Sequence, residues 1–405
     1  MEKSSIEVYG YRWIVLVVFA IINAVMQLQW LTFAPIAREA KVVYDVSGLQ
    51  IDFLSMIFMA VFLIMCVPAS YVIDTYGIRV GVGSGAVLIG VFGLLKGIGA
   101  DSYTMVVISQ VGLAVAQPFI LNACTKVGVQ WFPITERATA VGIATLSQFL
   151  GIIVVMIVTP LLVSVNAEGV YNIKNMLITY GVISTISAVI LLVFMRERPP
   201  TPPDAKGRED RFKVFEGCRF IFKQRDMLLV MVLFFVGLGM FNAISTCIDQ
   251  ICHKKGLSIE QTGLVGGIML IGGIMGALIL PLLSDRYRAR KSFLVLIMIC
   301  MTPGLIGLTL FKNYMLVLTS SFVLGFFLLG GGAPIGFQYS AEISYPAPES
   351  TSQGLILLVG QISGIIFILG LNGLGVTPFM YLFVILAGVN IFITTILKES
   401  TMIRE

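Results

Sequence analysis

Two glutamines, Gln148 and Gln361, stand 213 residues apart, each inside a long apolar run. An amide side chain is costly in a hydrocarbon environment, so its presence there marks either helix packing or a solute pathway. A neutral amide offers an acceptor and two donors, which suits the hydroxyl or ammonium group of a small solute. Trp30 and Asn242 lie at comparable depths, and Asn23 and Gln29 share the run that holds Trp30. A tryptophan face attracts an organic cation through its quadrupole, worth roughly 2 kcal/mol or more once water is excluded. The chemistry these residues support is therefore recognition. The apolar runs hold no clustered nucleophile, metal-ligand set or carboxylate pair, so a membrane-embedded enzyme is disfavoured and no cofactor is expected. Asp52, Asp249 and Glu260 fall near the outer ends of such runs and Glu342 near an inner end, which favours facilitated diffusion or exchange over proton coupling. For Asn23 and Asn122 the alternative is a hydrogen bond between neighbouring helices.

The elements that must position these groups follow from composition. The 405 residues are 57% hydrophobic and 12% charged, with a mean hydropathy of +0.95. Soluble domains carry roughly 25% charged residues, so lipid is the fitting solvent. At about 20 apolar residues per crossing, the chain divides into spans at 12–37, 51–73, 80–100, 104–127, 136–163 and 172–195. A second set falls at 227–252, 258–284, 291–311, 314–340, 351–371 and 376–397. Helices alone fit runs of this length, since each must satisfy its backbone within lipid. The expectation is an all-α membrane protein of twelve transmembrane helices: a bundle at 1–195, a linker at 196–226 and a bundle at 227–405. Within the linker, phenylalanines alternate with arginines and lysines, as in a segment lying on a membrane face. With the first residues inside, 20 of the 27 Lys and Arg side chains fall on inner segments, which places both termini in the cytoplasm. The first span lacks a signal-peptide cleavage pattern. The net charge of +5 is spread over short loops, which excludes a nucleic-acid interface. The six cysteines form no C-x-x-C pair, so a disulfide or zinc framework is not expected. His253, beside two lysines, reads as a solvated loop residue. Partners reduce to a small solute and membrane lipid, and a monomer is expected.

The two halves repeat. Pro133, Glu136, Gln148 and Gly151 recur as Pro346, Glu349, Gln361 and Gly364, all at an offset of 213. Asp74, Gly77 and Arg79 follow span 2; Asp285, Arg286, Arg288 and Arg290 follow span 8 at an offset of 211. Glycine permits a tight reversal, and an aspartate there can pair with a loop arginine or face a helix N-terminus. These residues, with Glu136 and Arg137, are the expected cytoplasmic gate; Lys126, ending span 4, reads as a snorkelling lysine. A solute site between two such repeats lies near the membrane midplane. Glycine pairs in span 8 (Gly263/Gly267 and Gly272/Gly276) allow close helix approach, and Gly330–Gly332 followed by Pro334 in span 10 reads as a hinge or kink.

The Asp-x-x-Gly-x-Arg turn of the first half, echoed in the second as Asp285-x-x-Arg288-x-Arg290, resembles the loop 2–3 signature of the major facilitator superfamily. That resemblance implies the major facilitator fold of two pseudo-symmetric six-helix bundles working by alternating access. Ser70 and Pro281 stand where the signature has a leading glycine. Further stretches resemble one branch, the feline leukaemia virus subgroup C receptor-related (FLVCR) transporters: Gln29-Trp30, Ile51–Met56, Ala116–Leu121, Trp131-Phe132, Gln148–Gly151, Ile244–Thr246, Ala341–Pro346 and Gln361–Gly364. The resemblance implies a choline- or ethanolamine-like solute, or haem. It carries choline contacts to Trp30, Gln148 and Gln361, while Asn242 stands where that branch has a tyrosine, removing one aromatic wall. Two rivals remain: a proton- or anion-coupled carrier of another metabolite, and a sensor or receptor that binds solute without moving it.

Overall fold

The computed structural model describes residues 9–165, 171–201, 219–345, 347 and 349–399. Most of the expected amphipathic linker lies outside these residues, as does Pro346. Twelve helices among the described residues are long and apolar enough to cross a bilayer. Nine of them match the expected spans to within about three residues at either end. Spans 1, 4 and 7 differ, and in each the backbone breaks within the apolar run.

Span 1 is helical over Tyr11–Trp30, turns through a 3-10 segment at Ala34–Ile36 and resumes at Ala37–Tyr44. The Thr32 hydroxyl donates back to the Leu28 or Gln29 carbonyl (2.9 and 3.1 Å), and Pro35 cannot supply the N–H a continuing helix needs. Span 4 stops at Leu121 and is followed by a short helix, Cys124–Trp131. Span 7 runs Arg225–Thr246, and Cys247 separates it from Ile248–His253. Hydropathy does not register such breaks, because the residues stay apolar through them.

The chain divides into two compact units, Met1–Phe33 with Arg38–Glu209, and Ala34–Ala37 with Asp210–Glu405. The same helix pairs pack within each. In the first unit span 1 lies on span 5, span 2 on span 4, and span 3 on spans 4 and 6. In the second, span 7 lies on span 11, span 8 on span 10, and span 9 on spans 10 and 12. The repeat read from isolated residues is thus a repeat of packing.

Small residues set the tightest crossing. A side chain on Gly272 or Gly276 of span 8 would run into the carbonyls of Phe322 or Phe326 in span 10, and one on Gly325 into that of Met269. Span 10 itself is helical over Tyr314–Phe327, passes through a π turn at Leu328–Gly332 and continues as Ala333–Ile343. Pro334, in the first turn of that last helix, has no N–H for the carbonyl four residues back, which accounts for the wider turn. The kink expected at the glycines takes this form.

Short loops close the bundles, with one exception. Eleven residues separate span 5 from span 6, and they carry an antiparallel pairing of Ser164–Val165 with Tyr171–Asn172. Gly375 alone separates the helices of spans 11 and 12. Large apolar side chains such as Ile64, Val67, Leu161, Val193, Leu282 and Phe392 lie on the outside of spans. An outer surface of this kind suits lipid and would associate in water.

Candidate functional site

Trp30 ends the first helix, and its position is fixed twice over. Its indole N–H donates to the Ser55 carbonyl (3.2 Å), and the Ser55 hydroxyl donates to the Trp30 carbonyl (3.3 Å). With the N–H committed, the side chain has only its ring face to offer. Trp30 as a whole is buried, and a ring face is the right group for a cation and a poor one for an anion.

Gln148 projects from span 5 and is half-buried. Its amide nitrogen meets only the Cys124 sulfur, at 3.8 Å, a weak acceptor. Gln361, its counterpart in span 11, is also half-buried, and its side chain makes no hydrogen bond among the described residues. Asn242 is buried in span 7 and donates to the Gly360 carbonyl at 3.2 Å, beside Gln361. The two glutamines therefore keep unused hydrogen-bonding capacity inside spans.

Asn23 and Gln29, expected as solute contacts, are engaged elsewhere. Asn23 donates to the Ala144 carbonyl (2.7 Å) and the Ser147 hydroxyl (3.3 Å) of span 5. Gln29 donates to the Ser184 hydroxyl (2.7 Å) and the Tyr180 carbonyl (3.3 Å) of span 6. Both are fully buried, and their amide nitrogens tie span 1 to spans 5 and 6, while Asn23 Oδ1 and Gln29 Oε1 have no hydrogen-bond partner among the described residues. Asn122 is likewise a tie, donating to the Ser70 hydroxyl at 2.9 Å.

The residues expected at a gate find partners that the sequence did not indicate. Asp74 pairs with Lys126 at 2.9 Å, not with an arginine of its own loop. Lys126 also donates to the Ile73 carbonyl at 2.6 Å, so it closes a contact between spans 2 and 4 instead of snorkelling. Gly77 has φ +93°, the left-handed region that glycine tolerates. Its counterpart at the 211 offset, Arg288, also has a positive φ of +48°. Arg79 and Arg286 are exposed. The buried arginine is Arg290, whose Nε donates to Glu342 at 3.2 Å and whose Nη1 donates to Ser284 at 3.3 Å. Glu136 pairs with Arg12 at 3.1 Å. The side chains of Arg137, Asp285 and Glu349 lie outside the described residues.

Three groups that sequence reasoning passed over belong to this picture. Glu197 accepts from the Ile78 and Arg79 backbone N–H groups (3.2 and 2.8 Å) and from Gln130 (3.0 Å). A carboxylate there meets the positive end of the span 3 helix dipole. Glu399 does the same for span 9, accepting from the Lys291 N–H at 3.0 Å. The signal was present: Arg196-Glu197 and Lys398-Glu399 each fall just past the last helix of a half. Lys96, the third, is fully buried in span 3, donates to Thr32 Oγ1 (3.1 Å) and Gln110 Oε1 (3.5 Å), and sits over the Phe33 ring. A lone lysine inside an apolar run was its only mark.

Two units of six spans, repeated in packing and in their turns and carrying a few polar groups deep in the spans, define a polytopic membrane transporter, not an enzyme. The Major Facilitator Superfamily model matches residues 13–368, and the chain belongs to that family. It is 28% identical over 378 residues to an uncharacterised MFS-type transporter of Caenorhabditis elegans, C09D4.1, covering 90% of this chain and 64% of that protein, less than two thirds of its length. It is also 28% identical over 384 residues to the human choline/ethanolamine transporter FLVCR2, covering 90% of this chain and 72% of the relative. Among solved structures, a bacterial homologue of the human lysosomal transporter Spinster, inward-facing and occupied, superposes with a TM-score of 0.75 at 14% identity, covering 98% of both chains. That likeness concerns the fold.

Proposed function

We propose that this protein carries a small organic amine, of the choline or ethanolamine kind, by facilitated diffusion through alternating access. The observation that carries the reading is the pair Gln148 and Gln361. They occupy equivalent places in the two halves, are half-buried within spans, and retain amide groups with unused hydrogen-bonding capacity. Trp30 adds a ring face whose N–H is already committed. Neutral acceptors with an aromatic face select a cation or a hydroxyl over an anion. The similarity to a protein named for choline and ethanolamine transport supports the same reading.

In this reading Trp30 meets the cationic end of the solute, Gln148, Asn242 and Gln361 hydrogen-bond it, and Asn23 and Gln29 hold Trp30's helix in place. The Asp74–Lys126 and Arg12–Glu136 pairs, with the turns at Gly77 and Arg288, serve the gate. Both termini are cytoplasmic by the distribution of Lys and Arg, in a cell membrane, and the transporter works as a monomer.

The test is uptake of labelled choline and ethanolamine into proteoliposomes. Uptake down a concentration gradient, indifferent to a pH gradient and lost in Trp30→Ala, is the expected result. Binding without flux would point instead to a sensor. One observation favours a second reading, ion-coupled transport: Lys96 is a titratable group buried in a span, and such groups commonly serve proton pathways. Uptake that collapses when the pH gradient is removed, and becomes independent of it in Lys96→Met, would establish that reading.

A further inference from the structure

Hydroxyls inside the spans of this protein follow a rule. Thr32, Ser109, Thr145, Thr185, Ser187, Thr302 and Thr394 each donate to a carbonyl three or four residues back on their own helix. Others, such as Ser55 and Ser321, reach a carbonyl of a neighbouring helix. Among the described residues, the buried serine and threonine hydroxyls that have no hydrogen-bond partner are Ser245 and Thr246. They are adjacent, 0% and 1% exposed, and occupy the last turn of span 7 before its break at Cys247.

An unpaired buried hydroxyl costs free energy, and two side by side call for a ligand or an ordered water. Their setting indicates which kind of ligand. Ser245 and Thr246 follow Asn242 by three and four residues, so the three share one helix face. The Asn242 amide nitrogen is committed to Gly360 of span 11, immediately before Gln361, which leaves the amide oxygen for a ligand. The stripe is thus one of oxygens. It lies at the C-terminal end of a helix, where the dipole favours positive charge.

We propose that Asn242, Ser245 and Thr246 form a hydrogen-bonding subsite at the break of span 7 that reads N–H and O–H donors, so that the solute is a primary ammonium or amino alcohol in preference to a fully methylated ammonium. The proposal rests on the amine reading above and sharpens it. A quaternary ammonium has no N–H to give and would leave the oxygens unpaired. A primary ammonium has three. Each methyl group placed on nitrogen removes one donor, and a lost hydrogen bond of this kind weakens binding by about 2- to 10-fold.

The test uses the purified full chain and a methylation series: ethanolamine, its N-methyl and N,N-dimethyl derivatives, and choline, by titration calorimetry. Affinity is expected to fall at each step, ending about 8-fold or more weaker for choline. In Ser245→Ala/Thr246→Val the series should flatten, whereas Thr246→Ser, which keeps the hydroxyl, should retain the preference. The melting temperature of each variant, measured in the same detergent, reports whether it is folded. Should the double variant fail to fold, Ser245→Ala and Thr246→Val taken singly should each compress the series. Equal or tighter binding of choline by the native protein overturns the proposal and leaves the amine reading intact. So does a series unchanged by the substitutions, the outcome if the hydroxyls hold only a structural water. If none of the four amines binds, the amine reading itself fails, and the proposal with it.

Discussion

Replacing Glu342 by glutamine tests how the second half is held together. Glu342 and Arg290 are each 9% exposed and bonded at 3.2 Å, with Gln338 donating to the same carboxylate oxygen at 3.1 Å. Glutamine keeps the shape and some hydrogen bonding but removes the negative charge that Glu342 sets against the guanidinium. Breaking one partner of a buried pair costs about 3–5 kcal/mol. The Asp74–Lys126 pair is the control. Its side chains are 74% and 27% exposed, and pairs open to solvent contribute about 0–1 kcal/mol. At roughly 2–4 °C per kcal/mol for a domain of this size, Glu342→Gln should lower the melting temperature in detergent by on the order of 10 °C. Asp74→Asn should lower it by no more than about 4 °C. The double substitution Arg290→Met/Glu342→Leu should recover much of the loss, since an apolar pair of similar volume restores neutrality. Equal shifts for Glu342→Gln and Asp74→Asn, or a double variant worse than the single, would refute the assignment of a buried, charge-balanced pair.

Gln148→Ala and Gln361→Ala should each raise the apparent KM for the transported amine by about 10- to 150-fold, matching one lost hydrogen bond to a charged group, with melting temperature unchanged; uptake assays in proteoliposomes read this. Gly276→Val should prevent assembly, because its side chain would meet the Phe326 carbonyl, and gel filtration of the solubilised protein would show aggregate in place of a monodisperse peak. Glu197→Gln should cost about 0.3–1 kcal/mol of stability, the value of a charge at a helix N-terminus, and less at high salt, followed by thermal unfolding at two ionic strengths. Lys255, outside the spans, donates to the Thr309 and Phe311 carbonyls (3.1 and 2.7 Å), and its burial lowers its pKa. The unfolded chain then binds more protons in the interval below the usual lysine value, so stability should rise with pH there, and Lys255→Met should flatten that part of the pH–melting profile.

Most of the fold was legible in the sequence because lipid imposes a length and a composition on every span. Loops announced themselves by charge, and the 211 and 213 offsets showed that one unit occurs twice. What escaped was of two kinds. Breaks in spans 1, 4 and 7 leave hydropathy unaltered; Thr32 and Pro35 explain the first only once the hydroxyl is seen turned back on its own helix. Choice of partner was the other. Asp74 has arginines nearby in sequence, yet Lys126, 52 residues away, reaches it. Asn23 and Gln29 are the same residue types as the candidate contacts and lie in the same span as Trp30, but neighbouring carbonyls and hydroxyls claim their amide nitrogens. Chemistry identifies a polar residue in a span; only packing says whether its hydrogen bonds are already spent.

The extended hairpin between spans 5 and 6 bears on the history of the chain. From Pro133 and Pro346 to Gly151 and Gly364 the halves register at an offset of 213, whereas Arg196-Glu197 and Lys398-Glu399, past the hairpin, register at 202. Of that difference of eleven residues, ten fall where the first half has its hairpin and the second has Gly375. Two copies descended from one ancestral unit thus diverged by a gain or loss of one connector, with the helices on either side keeping their lengths nearly unaltered. A connector whose length differs between the halves while its flanking helices keep theirs is a suitable place to graft an epitope or fluorescent tag.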